Sequence, residues 1–146
     1  MKQPDDIELA TGVRTAVSRL VKKVRKEASF LKQLSLTEHM TMSAMFAHTQ
    51  LLPSELSKMG KVSSQAMSQI LNHLSELKYI TRKSSKEDKR KTIVSITEKG
   101  KGFIIQSRLE KEEWLAKAIR ETLTKDEKKL LREGIALLIR IADFED

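Results

Sequence analysis

The sequence contains no cysteine, which excludes disulfides, thiol catalysis, thiolate metal sites and cysteine-based redox sensing in one step. Proline and glycine are scarce, two and five in 146 residues, so little interrupts regular structure. Nowhere do the roughly 18 consecutive apolar residues of a membrane-spanning helix occur. The opening stretch MKQPDDIELATG is acidic and lacks the apolar core of a secretory signal, so the expectation is an unexported, cytoplasmic chain. What is present fits one soluble, helix-rich domain over 1–146: 39% hydrophobic and 33% charged residues are enough apolar material for a core and too much for disorder. Twenty-eight Lys and Arg against twenty Asp and Glu leave a net charge of +8, which makes a polyanionic partner plausible.

Periodicity divides the chain into helices and one hairpin. From Ile7 to Leu34, apolar Val13, Val17, Leu20, Val24 and Leu31 recur at helical spacing and predict one long amphipathic helix. Thr37 is a candidate N-cap for a second, shorter helix that ends near His48 to Gln50. Pro53 suits the first turn of a third, which stops at Gly60, where the chain can reverse. Ser63 can cap a fourth, whose Ala66, Met67, Ile70, Leu71, Leu74 and Leu77 form one apolar stripe. Tyr79 to Thr81 and Thr92 to Thr97 are β-prone and flank the polar SSKEDKRK, which predicts a hairpin with a charged tip. Thr97 then caps a long helix, and Thr124 with Glu127 has capping-box spacing for a last one.

Two short helices joined by a tight turn and followed at once by a charged hairpin make a winged helix-turn-helix, the expected fold class: mainly α with a β-hairpin wing. The second helix of such a motif enters the major groove of double-stranded DNA. Its candidate contact residues are Ser63, Ser64, Gln65, Ser68, Gln69, Asn72 and His73, hydrogen-bonding groups with no acid among them to repel phosphates. Between Arg82 and Lys101 eight basic residues face three acids, so most of the excess charge sits beside that helix. Lys83, Lys86, Asp88, Lys89, Arg90 and Lys91 are the candidate wing residues.

These segments resemble the MarR family of bacterial transcriptional regulators. ELSKMGKVSSQAMS, residues 55–68, is similar to the family's ELA-type helix and Ser-initiated recognition helix. LSELKYITR, residues 74–82, is similar to its LE-x-x-G-L-V-x-R stretch, and EDKR followed by IVSITEKG to its D-x-R wing signature. The resemblance implies a repressor in which Arg90 reaches into the minor groove while Asp88 orients the wing. Two positions depart from the pattern: Lys78 stands where glycine is usual, and Gln69 where many members carry a base.

The run Gly134 to Ala142 is apolar on nearly every side except at Arg140, more than a small monomer can bury on its surface. The expectation is therefore a homodimer, with 36–100 as the DNA-binding lobe and 5–34 and 101–146 as dimerisation helices. The resemblance also implies a small phenolic or amphipathic effector, with Met40, Met42, Met45, Phe46 and Trp114 as candidate pocket residues. His39 and His48, nine residues apart, read as opposite faces of one helix and not as a metal pair. Gly100-Lys-Gly102 lacks the third glycine of a phosphate cradle and reads as a helix start. No nucleophile with a base, no metal cluster and no phosphate loop can be assembled, so neither enzyme activity nor a cofactor is expected.

Overall fold

Helix-forming residues at 3.6-residue period, punctuated by strong caps, give the order α1 Pro4–Glu27, α2 Leu36–Ala47, α3 Pro53–Gly60, α4 Ser64–Glu76, β1 Ile80–Ser84, β2 Thr92–Ile96, α5 Glu98–Thr122 and α6 Lys125–Ala142. A computed structural model describes residues 4–28 and 33–145. They form two compact units, 1–111 and 112–146.

In the first unit, α1 carries Asp5 and Asp6 in its first turn and Arg25 and Lys26 in its last, a charge order that suits the helix dipole. It ends at Glu27 and does not continue to Leu34 as the periodicity suggests; Leu31 of that expected helix lies outside the described residues. The cap of α2 sets where the next helix starts. Ser35, not Thr37, is its N-cap: the Ser35 hydroxyl accepts from the Glu38 N–H at 3.2 Å and Glu38 Oε2 accepts from the Ser35 N–H at 2.8 Å. An extended Ser35 cannot sit inside a helix, and Leu34 just before it is buried in the core. His48 falls one residue past α2 as its C-cap, so the two histidines do not share a helix.

The α2–α3–α4 core is built from Met42, Met45, Leu56, Met67, Leu71 and Leu74, with Tyr79, Ile80, Val94, Phe103 and Ile104 closing it. The hairpin is antiparallel, Ile80 paired with Ile96 and Ser84 with Thr92. Leu51, between α2 and α3, adds an isolated antiparallel bridge to β2: its N–H and C=O exchange hydrogen bonds with Val94 at 3.2 and 2.9 Å. This pins the start of the helix-turn-helix to the wing.

Both short helices of the motif end in Schellman geometry with lysine in the left-handed position. At α3 that residue is Lys61 (φ 52°) and not Gly60; Val62 N–H bonds Ser57 O at 3.1 Å and Lys61 N–H bonds Lys58 O at 3.3 Å. At α4 it is Lys78 (φ 62°), with Tyr79 N–H on Leu74 O and Lys78 N–H on Ser75 O, both at 3.0 Å. The usual family glycine at position 78 thus matches a left-handed turn that this chain makes with a side chain in place.

In the second unit, α6 starts on a capping box in which Thr124 and Glu127 bond reciprocally at 3.2 and 2.8 Å. Among the residues of α6 none is buried, and Leu130, Ile135, Leu137, Ile139 and Ile141 are 48–67% exposed.

Candidate nucleic-acid interface

Ser63 starts α4 because its hydroxyl accepts from the Ala66 N–H at 3.0 Å, while Met67, Leu71 and Leu74 turn inward. That orientation leaves Ser64, Gln65, Ser68, Gln69, Asn72 and His73 exposed along one face, repeating at three- to four-residue intervals. No acid occupies the first turn, so the positive end of the helix dipole and its open N–H groups are unopposed. The stripe is not uniform. Ser63 to Gln69 form its outward N-terminal part, whereas Asn72 and His73 are tied to other elements.

His73 Nδ1 bonds Glu38 Oε1 of α2, and Asn72 Oδ1 accepts from Arg82 Nη2 of β1 at 2.7 Å. Glu38 therefore holds the start of α2 and the end of α4 together. Burial raises its pKa, but the bonds from His73 and the Ser35 N–H outweigh that and hold the carboxyl below its ordinary value. Neither tie is readable from sequence spacing, because the partners are 35 and 10 residues apart.

The wing tip is shaped by two short side chains. Ser85 is buried and its hydroxyl accepts from the N–H groups of Glu87 and Asp88 at 3.3 and 3.4 Å. Ser85 N–H bonds Lys91 O at 2.8 Å and Lys91 N–H bonds Asp88 O at 3.0 Å, which closes the loop. Asp88 Oδ1 takes both the Arg90 N–H and its Nε–H, at 3.1 and 3.2 Å. Arg90 is thereby aimed while its side chain stays 91% exposed. Lys83, Lys86, Lys89 and Lys91 are exposed around it, a cationic rim suited to phosphates.

The five residues expected to line an effector pocket do not act alike. Met42 and Met45 are 0% and 1% exposed and belong to the core, so they present no surface to a ligand. Met40 points outward, Phe46 is half-buried under the Arg108 guanidinium at 4.7 Å, and Trp114 is part of the 112–146 unit. A feature that residue spacing did not suggest is a convergence of cations on buried His39. The His39 ring bonds Ser107 Oγ at 3.2 Å between α2 and α5. Burial, and then the positive charges of Lys111, Arg25 and Arg108, push its pKa down to about 4. Burial and the same two arginines lower that of Lys111 as well. Among the described residues no cluster of His, Cys, Asp and Glu could hold a metal, and no helix is long and apolar enough to cross a membrane.

A family model described as MarR family matches residues 32–91, the span from the approach to α2 through the wing tip. A protein of Mycobacterium bovis described as an HTH-type transcriptional regulator is 25% identical over 138 residues, covering 94% of this chain and 95% of its own. A solved transcriptional regulator from Pseudomonas aeruginosa superimposes with a TM-score of 0.85 at 27% identity, over 98% of this chain and 100% of that one. A variant of S. aureus MepR, solved bound to an oligodeoxyribonucleotide, has the same fold with a TM-score of 0.71 at 16% identity, over 92% and 98% of the two chains. The Ser-capped second helix, the Asp88–Arg90 wing and these relatives agree: residues 32–91 match the MarR family, and along nearly its whole length the chain is similar to proteins described as transcriptional regulators.

Proposed function

We propose that the chain is a cytoplasmic homodimeric repressor that binds a pseudo-palindromic operator in double-stranded DNA and is released by a small amphipathic or phenolic anion. The observation that carries this reading is the acid-free, outward face from Ser64 to Gln69 beside a rim of exposed wing cations. Residues 36–100 serve as the DNA-binding lobe. Residues 5–34 and 101–146 serve dimerisation, supported by apolar side chains left uncovered in one copy: Ile7, Leu9, Leu20 and Val21 on α1, and the face of α6. A two-fold dimer presents two recognition helices to half-sites about one helical turn, roughly 34 Å, apart.

The two kinds of contact separate in one experiment on an operator obtained by selection from random duplexes. Gln65→Ala or Gln69→Ala is expected to cost about 1–3 kcal/mol on the operator and to change the preferred base at one symmetric pair of positions. Non-specific affinity stays nearly constant. Lys86→Ala, Lys89→Ala or Lys91→Ala instead weakens binding to all duplexes and flattens log affinity against log salt by about 0.9 per phosphate contact, doubled in a dimer. If all five variants bind as the wild type does, with its salt slope, the reading fails. A stoichiometry of one chain per operator removes the dimer from it.

The effector part rests on the cations around His39. Like charges held together at a partly buried site repel, and a bound anion relieves that repulsion. Aromatic carboxylates and phenolates are expected to lower operator affinity by about 5- to 150-fold, the usual range of allosteric coupling. Arg108→Ala should abolish the response and leave effector-free DNA affinity unchanged. A full response in Arg108→Ala places the effector elsewhere.

A further inference from the structure

Asn72 lies on the recognition face, where an asparagine ordinarily reads adenine by accepting from N6 and donating to N7. Here its acceptor is already engaged. Arg82 has only donors, so the amide atom facing its Nη2 at 2.7 Å must be the oxygen. A second lone pair remains on that oxygen, but an adenine N6–H reaching for it meets a guanidinium at the same spot. An acceptor approaching the pair meets instead the Asn72 amide protons and the remaining Arg82 N–H groups together.

Strand geometry places Arg82 for this. Alternation puts it on the same face of β1 as buried Ile80, the side packed on α4, and its cross-strand partner is buried Val94. Its stem can lie along the hairpin while the exposed head reaches the end of α4. Asn72 sits eight residues beyond Ser64, about 12 Å along the helix axis at 1.5 Å per residue. In a helix-turn-helix the N-terminal residues reach the bases, so the far end lies toward the sugar-phosphate wall of the groove.

We propose that Arg82 and Asn72 form one donor-only clamp on a DNA backbone phosphate, with Asn72 serving to hold the Arg82 fork and not to read a base. This rests on the DNA-binding reading above. Arg82 then belongs to the interface although it lies outside the helix stripe and the wing tip.

The test compares the wild type with Arg82→Ala, Arg82→Lys, Asn72→Ala and the double alanine variant on a selected operator and on an unrelated duplex, across a salt series. Wild-type binding reports on the parent reading by itself: without it, the DNA-binding function fails and not merely the clamp. Given that binding, Arg82→Ala should weaken both duplexes alike by about 10- to 100-fold, as loss of a charge-assisted bond does. It should also flatten the salt slope by about 1.8 for two protomers. Arg82→Lys should restore the slope but only part of the affinity, because a point charge lacks the planar fork. Asn72→Ala should weaken binding without changing any preferred base, and the double variant should be no worse than Arg82→Ala. Both side chains are exposed, so melting temperatures should match the wild type and separate a lost contact from a lost fold. Arg82→Ala binding both duplexes as the wild type does overturns the clamp. So does a new base preference at a symmetric pair of positions in Asn72→Ala or Arg82→Ala, which would make the pair a base reader.

Discussion

Gly100→Ala is expected to destabilise the fold by about 3 kcal/mol or more, the upper part of the range for forcing a methyl group into a packed site. A Cβ at position 100 would stand 2.3 Å from the Tyr79 carbonyl oxygen, 2.7 Å from Ile96 Cγ1 and 3.2 Å from the Tyr79 carbonyl carbon. The first contact is with backbone, and that backbone is held from several directions. Tyr79 O accepts from the Thr97 N–H at 3.0 Å, Tyr79 N–H bonds Leu74 O at 3.0 Å, and Lys78 before it is already left-handed. Thr97 fixes the other side: its hydroxyl donates to Lys78 O at 2.8 Å and accepts from the Gly100 N–H at 3.0 Å. Relieving the clash therefore means pulling the start of α5 off the α4–β1 turn. Gly102 is the control. Nothing lies within 4 Å of a Cβ there, so Gly102→Ala should stabilise α5 by up to about 1 kcal/mol through helix propensity alone. Urea unfolding of both variants checks the contrast, and a Gly100→Ala midpoint equal to that of the wild type would refute it.

That glycine also marks how far the sequence could be read. The position was visible as a helix start, but the need for glycine lies in a close approach across 21 residues to Tyr79, which no local pattern announces. Features carried by a few neighbouring residues were legible: the Ser63 cap, Pro53 at the head of α3, and the Thr124–Glu127 box each act within one turn. The cap of α2 was misplaced because Ser35 and Thr37 both offer hydroxyls; the Glu three residues after Ser35 was the signal that distinguishes them. Helical phase could also have sorted the methionines. Met42 and Met45 are three apart and turn inward with Thr41, while Met40 falls outside that inward face. The remaining misses are pairings between distant segments: Leu51 with Val94, Glu38 with His73, Arg82 with Asn72, His39 with Ser107. Each depends on how elements pack, so composition and period carry no trace of it.

The last of those pairs gives the protein an acid-sensitive core. Stability is expected to fall as pH is lowered from about 6.5 toward 4, by an amount that reaches about 3 kcal/mol from His39 alone, at about 1.4 kcal/mol per pKa unit. In the unfolded chain this imidazole takes up a proton near its ordinary 6.5; in the folded protein it resists until about 4. Between those values the unfolded state binds more protons and is favoured, and below about 4 both states are charged and His39 adds no further loss. Glu38 acts in a lower window. Its depressed pKa makes a contribution that is present above the ordinary 4.5 and fades only as pH falls below it, which separates the two groups on the pH axis. His39→Gln keeps a polar group for Ser107 Oγ without a titrating ring, so the difference between its stability curve and that of the wild type isolates the histidine. Chemical unfolding at a series of pH values should show the wild type losing stability relative to His39→Gln across 6.5 to 4, and parallel curves would remove His39 as the cause. The cations make a second use of the same measurement. Lys111, Arg25 and Arg108 all oppose a proton on His39, so an anion bound among them must raise its folded pKa and shrink the acid loss. An aromatic carboxylate that binds among them, as proposed above, should therefore flatten the wild-type curve over this window and leave the shape of the His39→Gln curve unchanged.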